Sequence, residues 1–259
     1  MKPPQRIALA GFLLCGTLAG CASESTLLRL DTGLTEADLR QGKIAVLGVV
    51  KYQEPDQVRP PLVAMLERTL AEERRDIPLI RADSVRSVLG PERYRRILLA
   101  YEYQGTLDSA ALREIADSLR GKARFVVLAR VTRERIRNSA RGVSAADTGV
   151  IRPEYAMGIT GRDASVQVHL YDVSRSELVM SAAYEGSSEN SKPILASVLP
   201  GAPPGVTVEV GPQAVPPESQ GYPPPPELAL ALEEPFRAFA RALPVTPRPP
   251  VPPQPAGSR

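Results

Sequence analysis

Two thiols, one imidazole and a row of three guanidinium groups are the side chains of this 259-residue chain whose chemistry could be specialised. Both cysteines, Cys15 and Cys21, lie six positions apart in "CGTLAGCASES". A metal pair would want closer spacing and further Cys or His ligands downstream, and none follow. The single histidine, His169, falls on the polar parity of an alternating stretch with no second ligand beside it, which predicts a surface residue. Arg133, Arg135 and Arg137 share a face, about 6.5–7 Å apart, if the strand that begins near Phe125 continues through them. Such a row suits anionic lipid headgroups or an acidic partner, and equally suits a strand end that only keeps an edge soluble. No G-x-S-x-G, H-E-x-x-H or P-loop pattern occurs. "GITG" at 158–161 has the spacing of a nucleotide-clamping loop without its helical flanks. Asp108, Glu114 and Asp117 fall in one predicted helix, where caps and solvated charges are the default. Nothing here is arranged for acid–base catalysis. The chain is read as non-enzymatic, with no metal, no cofactor and no small-molecule substrate.

The residues around Cys21 set its context. Lys2 and Arg6 precede an uncharged, mostly apolar run from Ile7 to Leu18, too short to span a bilayer and suited to the core of an export signal. It ends in Leu18-Ala19-Gly20-Cys21. That ending resembles the lipobox of bacterial lipoproteins, in which small residues admit the segment to a peptidase groove and the cysteine becomes the new N-terminus. The resemblance implies that the Cys21 thiol accepts a diacylglyceryl group, that palmitate-type chains anchor the protein, and that Cys15 leaves with residues 1–20. Three chains make release negligible, since two already anchor stably. Ala22 and Ser23 follow, with no aspartate, which in the Gram-negative sorting pattern places the anchor in the outer membrane, facing the periplasm.

Without Lys2 and Arg6 the balance is 30 basic against 29 acidic residues, so the apparent basicity is mostly a targeting signal and does not point to nucleic acid. No free thiol remains, so burial alone must hold the fold. There is no Trp and only four Phe, which weighs against a carbohydrate platform. Nineteen of the 27 prolines lie from Pro193 onward, including Pro223–Pro226 and the stretch after Leu243. Such segments lean to polyproline II and read as spacers or a disordered tail, reaching about 50 Å over 16 extended residues.

The elements that must position these side chains follow from periodicity. "KIAVLGVV" (43–50) reads as a buried strand, and Pro60-Pro61 opens a helix faced by Leu62, Leu66 and Leu70. "IPLI" (77–80) suits an edge strand. Three helices follow: one capped by Asp83 and stopped by Gly90, one from Pro91 faced by Tyr94, Ile97, Leu98 and Tyr101, and one capped by Asp108. Strands are predicted at 123–131, 164–173 and 178–186, the last two as an antiparallel hairpin through "SRSE". Leu228, Leu232, Phe236, Phe239 and Leu243 keep helical spacing across Pro235. The sum is an α/β (α+β) fold: a single domain with a mixed sheet packed by helices. Its expected layout is a signal peptide at 1–20, lipidated cysteine and short tether at 21–42 with a cap and helix around Thr35 to Arg40, α/β domain at 43–190, Pro-rich loop at 191–226, packed helix at 227–243 and Pro-rich disordered tail at 244–259.

With "LDSAALREIADSLRGKA" leading into "RFVVLARV" and the later "VQVHLYDVSRSELVMSAAYEG", the chain resembles a periplasmic α/β domain. That domain is shared by curli-secretion-type lipoproteins, the N-terminal domain of TolB and the lipoprotein activators of penicillin-binding proteins. Ala123, Phe125 to Leu128, Val131, Leu170, Asp172 and Val173 match its pattern; Ala129-Arg130 stands where a glycine is usual, and Arg175-Ser176 where Thr-Gly is usual. The resemblance implies protein binding or assembly in the envelope, with no catalytic residues. One branch forms a pore from paired hairpins. The segments 133–163 and 185–226, charged and Gly-punctuated or broken by proline, do not suit a barrel lining. The leading reading is a lipid-anchored protein with an envelope protein as partner. The alternatives are a structural subunit of a homo-oligomeric, secretion-type assembly at the outer membrane, and an uncharacterised envelope hydrolase.

Overall fold

The apolar runs assemble into one seven-stranded mixed sheet with helices on both faces, which is the α/β single-domain class expected. The structure, a computed structural model, describes residues 25–51, 59–142, 155–195, 207–210 and 221–245. The signal segment, Cys21 with Leu18, Ala19 and Gly20, residues 196–206 and 211–220 of the Pro-rich loop, and the tail from residue 246 lie outside the described residues.

In chain order the elements are β1 (Ser25–Leu30), α1 (Glu36–Gly42), β2 (Ile44–Lys51), α2 (Arg59–Glu73), β3 (Leu79–Ile80), α3 (Ala82–Leu89) and α4 (Pro91–Gln104). They continue with α5 (Ser109–Leu119), β4 (Phe125–Gly142), β5 (Tyr155–Asp172), β6 (Glu177–Leu195), β7 (Thr207–Val210) and α6 (Leu228–Ala242). The sheet order is β1-β6-β5-β4-β2-β3, with β7 also paired to β4. β2 runs parallel to β3 and β4, and the other pairs are antiparallel.

β2 and the first half of β4 are apolar on both parities because both of their faces are covered. Val46, Val127, Val166 and Val168 meet Leu66, Leu70, Phe236 and Phe239 of α2 and α6 on one face. Ala45, Leu47, Val126 and Leu128 meet Val85, Ile97, Tyr101 and Ile115 of α3, α4 and α5 on the other. Phe236 and Phe239 are fully buried, each worth about 1.5–3 kcal/mol in area removed from water.

Pro235 sits inside α6 and cannot donate to the carbonyl of Ala231, four residues back. Gly186 of β6 lies against that turn: a Cβ there would come 2.1 Å from the Ala231 oxygen and 2.6 Å from the Pro235 ring. Glycine is thus required by close approach. Beyond α6, the buried Arg74 donates to the carbonyls of Leu243 and Pro244, both at 3.0 Å, a cation closing a helix C-terminus. The same guanidinium grips Asp76, and that hydrogen bonding draws the Asp76 carboxyl down to about 2.

Five expectations are corrected. The tether at 21–42 is not free chain from residue 25 onward, because Ser25–Leu30 pairs along β6; the cap and helix expected around Thr35 to Arg40 are present as α1, with Thr35 in a capping box with Asp38. β1 is exposed along its whole length, so no burial pattern marked it. The strands of the hairpins are twice the expected length, 18, 18 and 19 residues in β4, β5 and β6, because cross-strand ion pairs and small residues replace the apolar alternation in their outer halves. α3 is capped from Arg81 without a side-chain bond, and Asp83 lies in its first turn; the Ala82 amide donates instead to Glu67 at 2.7 Å. The Pro223–Pro226 run is not a free spacer. Thr160 donates to the Pro223 carbonyl at 2.7 Å and Asn190 to that of Pro224 at 2.9 Å, while Tyr222 packs with Ala140, Ala156 and Ile194. Proline carbonyls remain good acceptors, so the run straps one sheet face. Finally, His169 is buried, as described below.

Candidate functional site

Beyond Val131 the sheet continues without its α3–α5 cover. A bulge at Thr132 shifts the register, after which Arg133, Arg135 and Arg137 alternate along β4 on the face those helices leave open. Opposite them stand Ser165, Asp163 and Gly161 of β5, and beyond these Glu185, Ser187 and Glu189 of β6. The Arg137 guanidinium lies over Gly161, where an added Cβ would come within 3.1 Å of it, and reaches Asp163 at 3.1 Å and Glu189 at 2.5 Å. Arg133, well exposed, stands 3.9 Å from Glu185. The row is therefore half of a ladder: a cationic stripe on β4 and an anionic stripe on β5 and β6. Solvent-exposed pairs of this kind add little stability. What they create is a charge-patterned surface that can be matched by a complementary one.

The carboxylates were missed because the strands carrying them were expected to be shorter; the i, i+4 recurrence of Glu185 and Glu189 was the available signal. On the opposite face Glu134 bridges Lys51 and Arg162 in a half-buried cluster. That opposite face is mixed: beside the Glu134 cluster it carries the apolar group of Ala140, Ala156 and Ile194 under Tyr222.

"GITG" is not a loop. It lies within β5, and its glycines make room for Ile194 and Tyr222 on one face and Arg137 on the other. Asp108 caps α5 by accepting from the Ala111 amide at 2.7 Å, Glu114 pairs with Arg93 and Arg96, and Asp117 pairs with Arg120.

His169 is the sharpest departure from expectation. It faces the α3–α5 layer, whose packing turns the polar parity of β5 inward. Tyr101 Oη lies 3.0 Å and Tyr171 Oη 3.4 Å from its Nδ1, and both rings meet the imidazole edge-on. The Leu107 amide donates to Tyr171 Oη at 3.1 Å. Burial, with a smaller push from Arg130, lowers the His169 pKa to about 4, so the ring is neutral. This is a satisfied core network.

Asp172, one of the residues matched to the family pattern, is the structural hub. Fully buried, its carboxylate accepts from Arg124 (Nε 2.9 Å, Nη2 2.8 Å), Arg175 Nε (3.0 Å), Ser174 N (3.0 Å) and Ser174 Oγ (2.6 Å). Burial alone would raise its pKa, but these donors outweigh it and hold the carboxyl below the usual aspartate value. Arg124 continues to Asp38 of α1 at 2.9 Å, and Arg175 to Asp31 after β1 at 2.7 Å. Nearby, Lys43, Arg113, Arg120 and Lys122 line a cleft of about 590 Å³. Among the described residues no group of three or more His, Cys, Asp or Glu is placed to hold a metal, and no helix is long and apolar enough to cross a membrane.

No family model and no curated protein matches the chain. Among solved structures it is similar to the PelC dodecamer from Paraburkholderia phytofirmans, at 18% identity over 64% of this chain and 82% of that one, with a TM-score of 0.32. It is also similar to the LpoB C-terminal domain from Salmonella enterica, at 12% identity over 62% and 87%, with a TM-score of 0.29. A third is lipoprotein GNA1162 from Neisseria meningitidis, at 11% identity over 59% and 83%, with a TM-score of 0.29. Likeness this slight assigns neither family nor role.

Proposed function

We propose that the chain is a non-enzymatic lipoprotein held by Cys21 on the periplasmic face of a bacterial outer membrane, and that its α/β domain docks another envelope protein through the charged ladder of the outer sheet. The observation that carries the reading is the Leu18-Ala19-Gly20-Cys21 run ending four residues before β1 begins. An acyl anchor at that cysteine holds a folded domain against one bilayer face. The ladder supports the docking half. Its stripes sit on long paired strands, so a partner meets a rigid patch, and charge matching favours encounter and register over raw affinity.

Two measurements test the reading. Intact mass of the protein extracted from membranes should show an acylated N-terminal Cys21, and Cys21→Ser should move it to the soluble fraction; a mature chain starting at any other residue refutes the anchor. A photo-crosslinking residue at Arg135 in the membrane-bound protein should yield an adduct with a second envelope protein. Adducts only with its own kind would favour the oligomeric subunit instead, and no adduct at all removes the ladder as a docking site.

A further inference from the structure

We infer that β1 is a membrane-contact strand: its exposed leucines, Leu27, Leu28 and Leu30, rest in the headgroup region of the bilayer that holds the lipid anchor. This rests on the Cys21 anchor proposed above.

Three observations carry it. First, of the seven large hydrophobic side chains that are exposed among the described residues, three fall within the six residues of β1, at 54%, 53% and 39% exposure. Exposed apolar residues normally occur singly, and a cluster of three marks a contact surface. Second, β1 is an outermost strand: it pairs with β6 on one side, and no described strand pairs with it on the other. The edge carries neither proline nor lysine, and its single charged side chain, Arg29, stands among the leucines rather than in place of them. Third, the chain length decides what covers the patch. Three residues, Ala22 to Glu24, separate Cys21 from Ser25, and the four steps of fully extended chain reach only about 14 Å. A bilayer-embedded sulfur therefore confines Ser25 to within that distance of the membrane. The bulge between Leu27 and Arg29 adds to the fit. It inserts Leu28 as an extra residue, so apolar side chains are not confined to alternate positions, and it leaves the exposed Arg29 among them as a cation suited to anionic headgroups.

The mature lipidated protein has no free thiol, since Cys15 is removed and the Cys21 sulfur is acylated, so one introduced cysteine labels one site. Leu28→Cys and, on α3, which packs over β2 near the opposite edge of the sheet, Ser84→Cys would each carry an environment-sensitive nitrobenzoxadiazole probe. β1 and β2 are four strand spacings apart, about 19 Å. The full-chain proteins go into vesicles of phosphatidylethanolamine and phosphatidylglycerol with or without headgroup-proximal spin-labelled lipid. The expected result is quenching at position 28 of about threefold, matching a surface seated at the headgroup boundary, with position 84 unchanged. Equal quenching at the two positions in protein that floats with the vesicles overturns the inference and leaves the anchor standing. Protein that does not float refutes the anchor itself. Probe emission at 28 that changes on dilution with unlabelled protein, without lipid quenching, assigns the strand to a second copy and also overturns it.

Discussion

Removing the Asp172 carboxylate tests whether the buried hub, rather than the exposed ion pairs, holds the hairpin end to the rest of the domain. Asp172→Asn keeps the shape and an acceptor for Ser174 but loses the charge that Arg124 and Arg175 address. A hydrogen bond to a charged group contributes about 1.5–3 kcal/mol. The two arginines are 36% and 41% exposed and can recover water, so part of that is returned. The expected loss is about 2 kcal/mol for Asp172→Asn, and about 3–4 kcal/mol for Asp172→Ala, which also leaves the Ser174 turn donors without an acceptor. With a urea slope near 2 kcal/mol/M, Asp172→Asn lowers the midpoint by about 1 M. Asp117→Ala, breaking an exposed pair on α5, is the control and shifts it by less than about 0.3 M. The sign with pH is fixed by the lowered carboxyl: its contribution is whole above the unfolded-state value near 3.8 and is lost as pH falls through the lower folded value. The gap between wild type and Asp172→Asn should therefore narrow below pH 4. An Asp172→Ala midpoint no lower than that of Asp117→Ala would refute the hub.

His169, with a folded pKa of about 4 against 6.5 when unfolded, takes up its proton first in the unfolded chain as pH falls. Wild-type stability should drop by about 1.4 kcal/mol per pH unit between those values, and His169→Gln should remove that component from a thermal-melt pH series. Gly186→Ala places a methyl against the Ala231 carbonyl and the Pro235 ring, both parts of a packed helix, and should cost about 1–3 kcal/mol by chemical denaturation. Arg74→Ala strips the donors from the Leu243 and Pro244 carbonyls; faster amide exchange confined at first to α6, with about 2–4 kcal/mol lost overall, is the expected result.

Where one physical signal dominated, the sequence was readable. β2, the inner half of β4 and the faces of α2, α4, α5 and α6 are legible because continuous or helical-period apolar residues have no other use. The stops at Gly90 and Gly105 follow from backbone geometry, and the cap at Asp108 from a short acceptor side chain at a helix start. Elements stabilised by pairing rather than burial were not legible. β1 buries none of its residues, and the outer halves of β4–β6 hold register through Glu134–Arg162 and Arg137–Asp163 contacts that carry no periodic apolar mark. His169 shows the converse: a polar residue on the polar parity, turned inward because a second helical layer covers that face. The arginine row was visible from alternation, but its carboxylate half depends on a register between strands that no local pattern encodes.

The placement of α6 also governs how the molecule must be made. One entire face of the sheet, from Val127 across to Tyr184, gains a large part of its cover from a helix contributed after all seven strands have been synthesised. Until residue 243 is out, the nascent polypeptide carries a greasy plate that α2 covers only in part. Premature termination ahead of Glu227 would therefore leave a sticky, self-associating product rather than a smaller working protein.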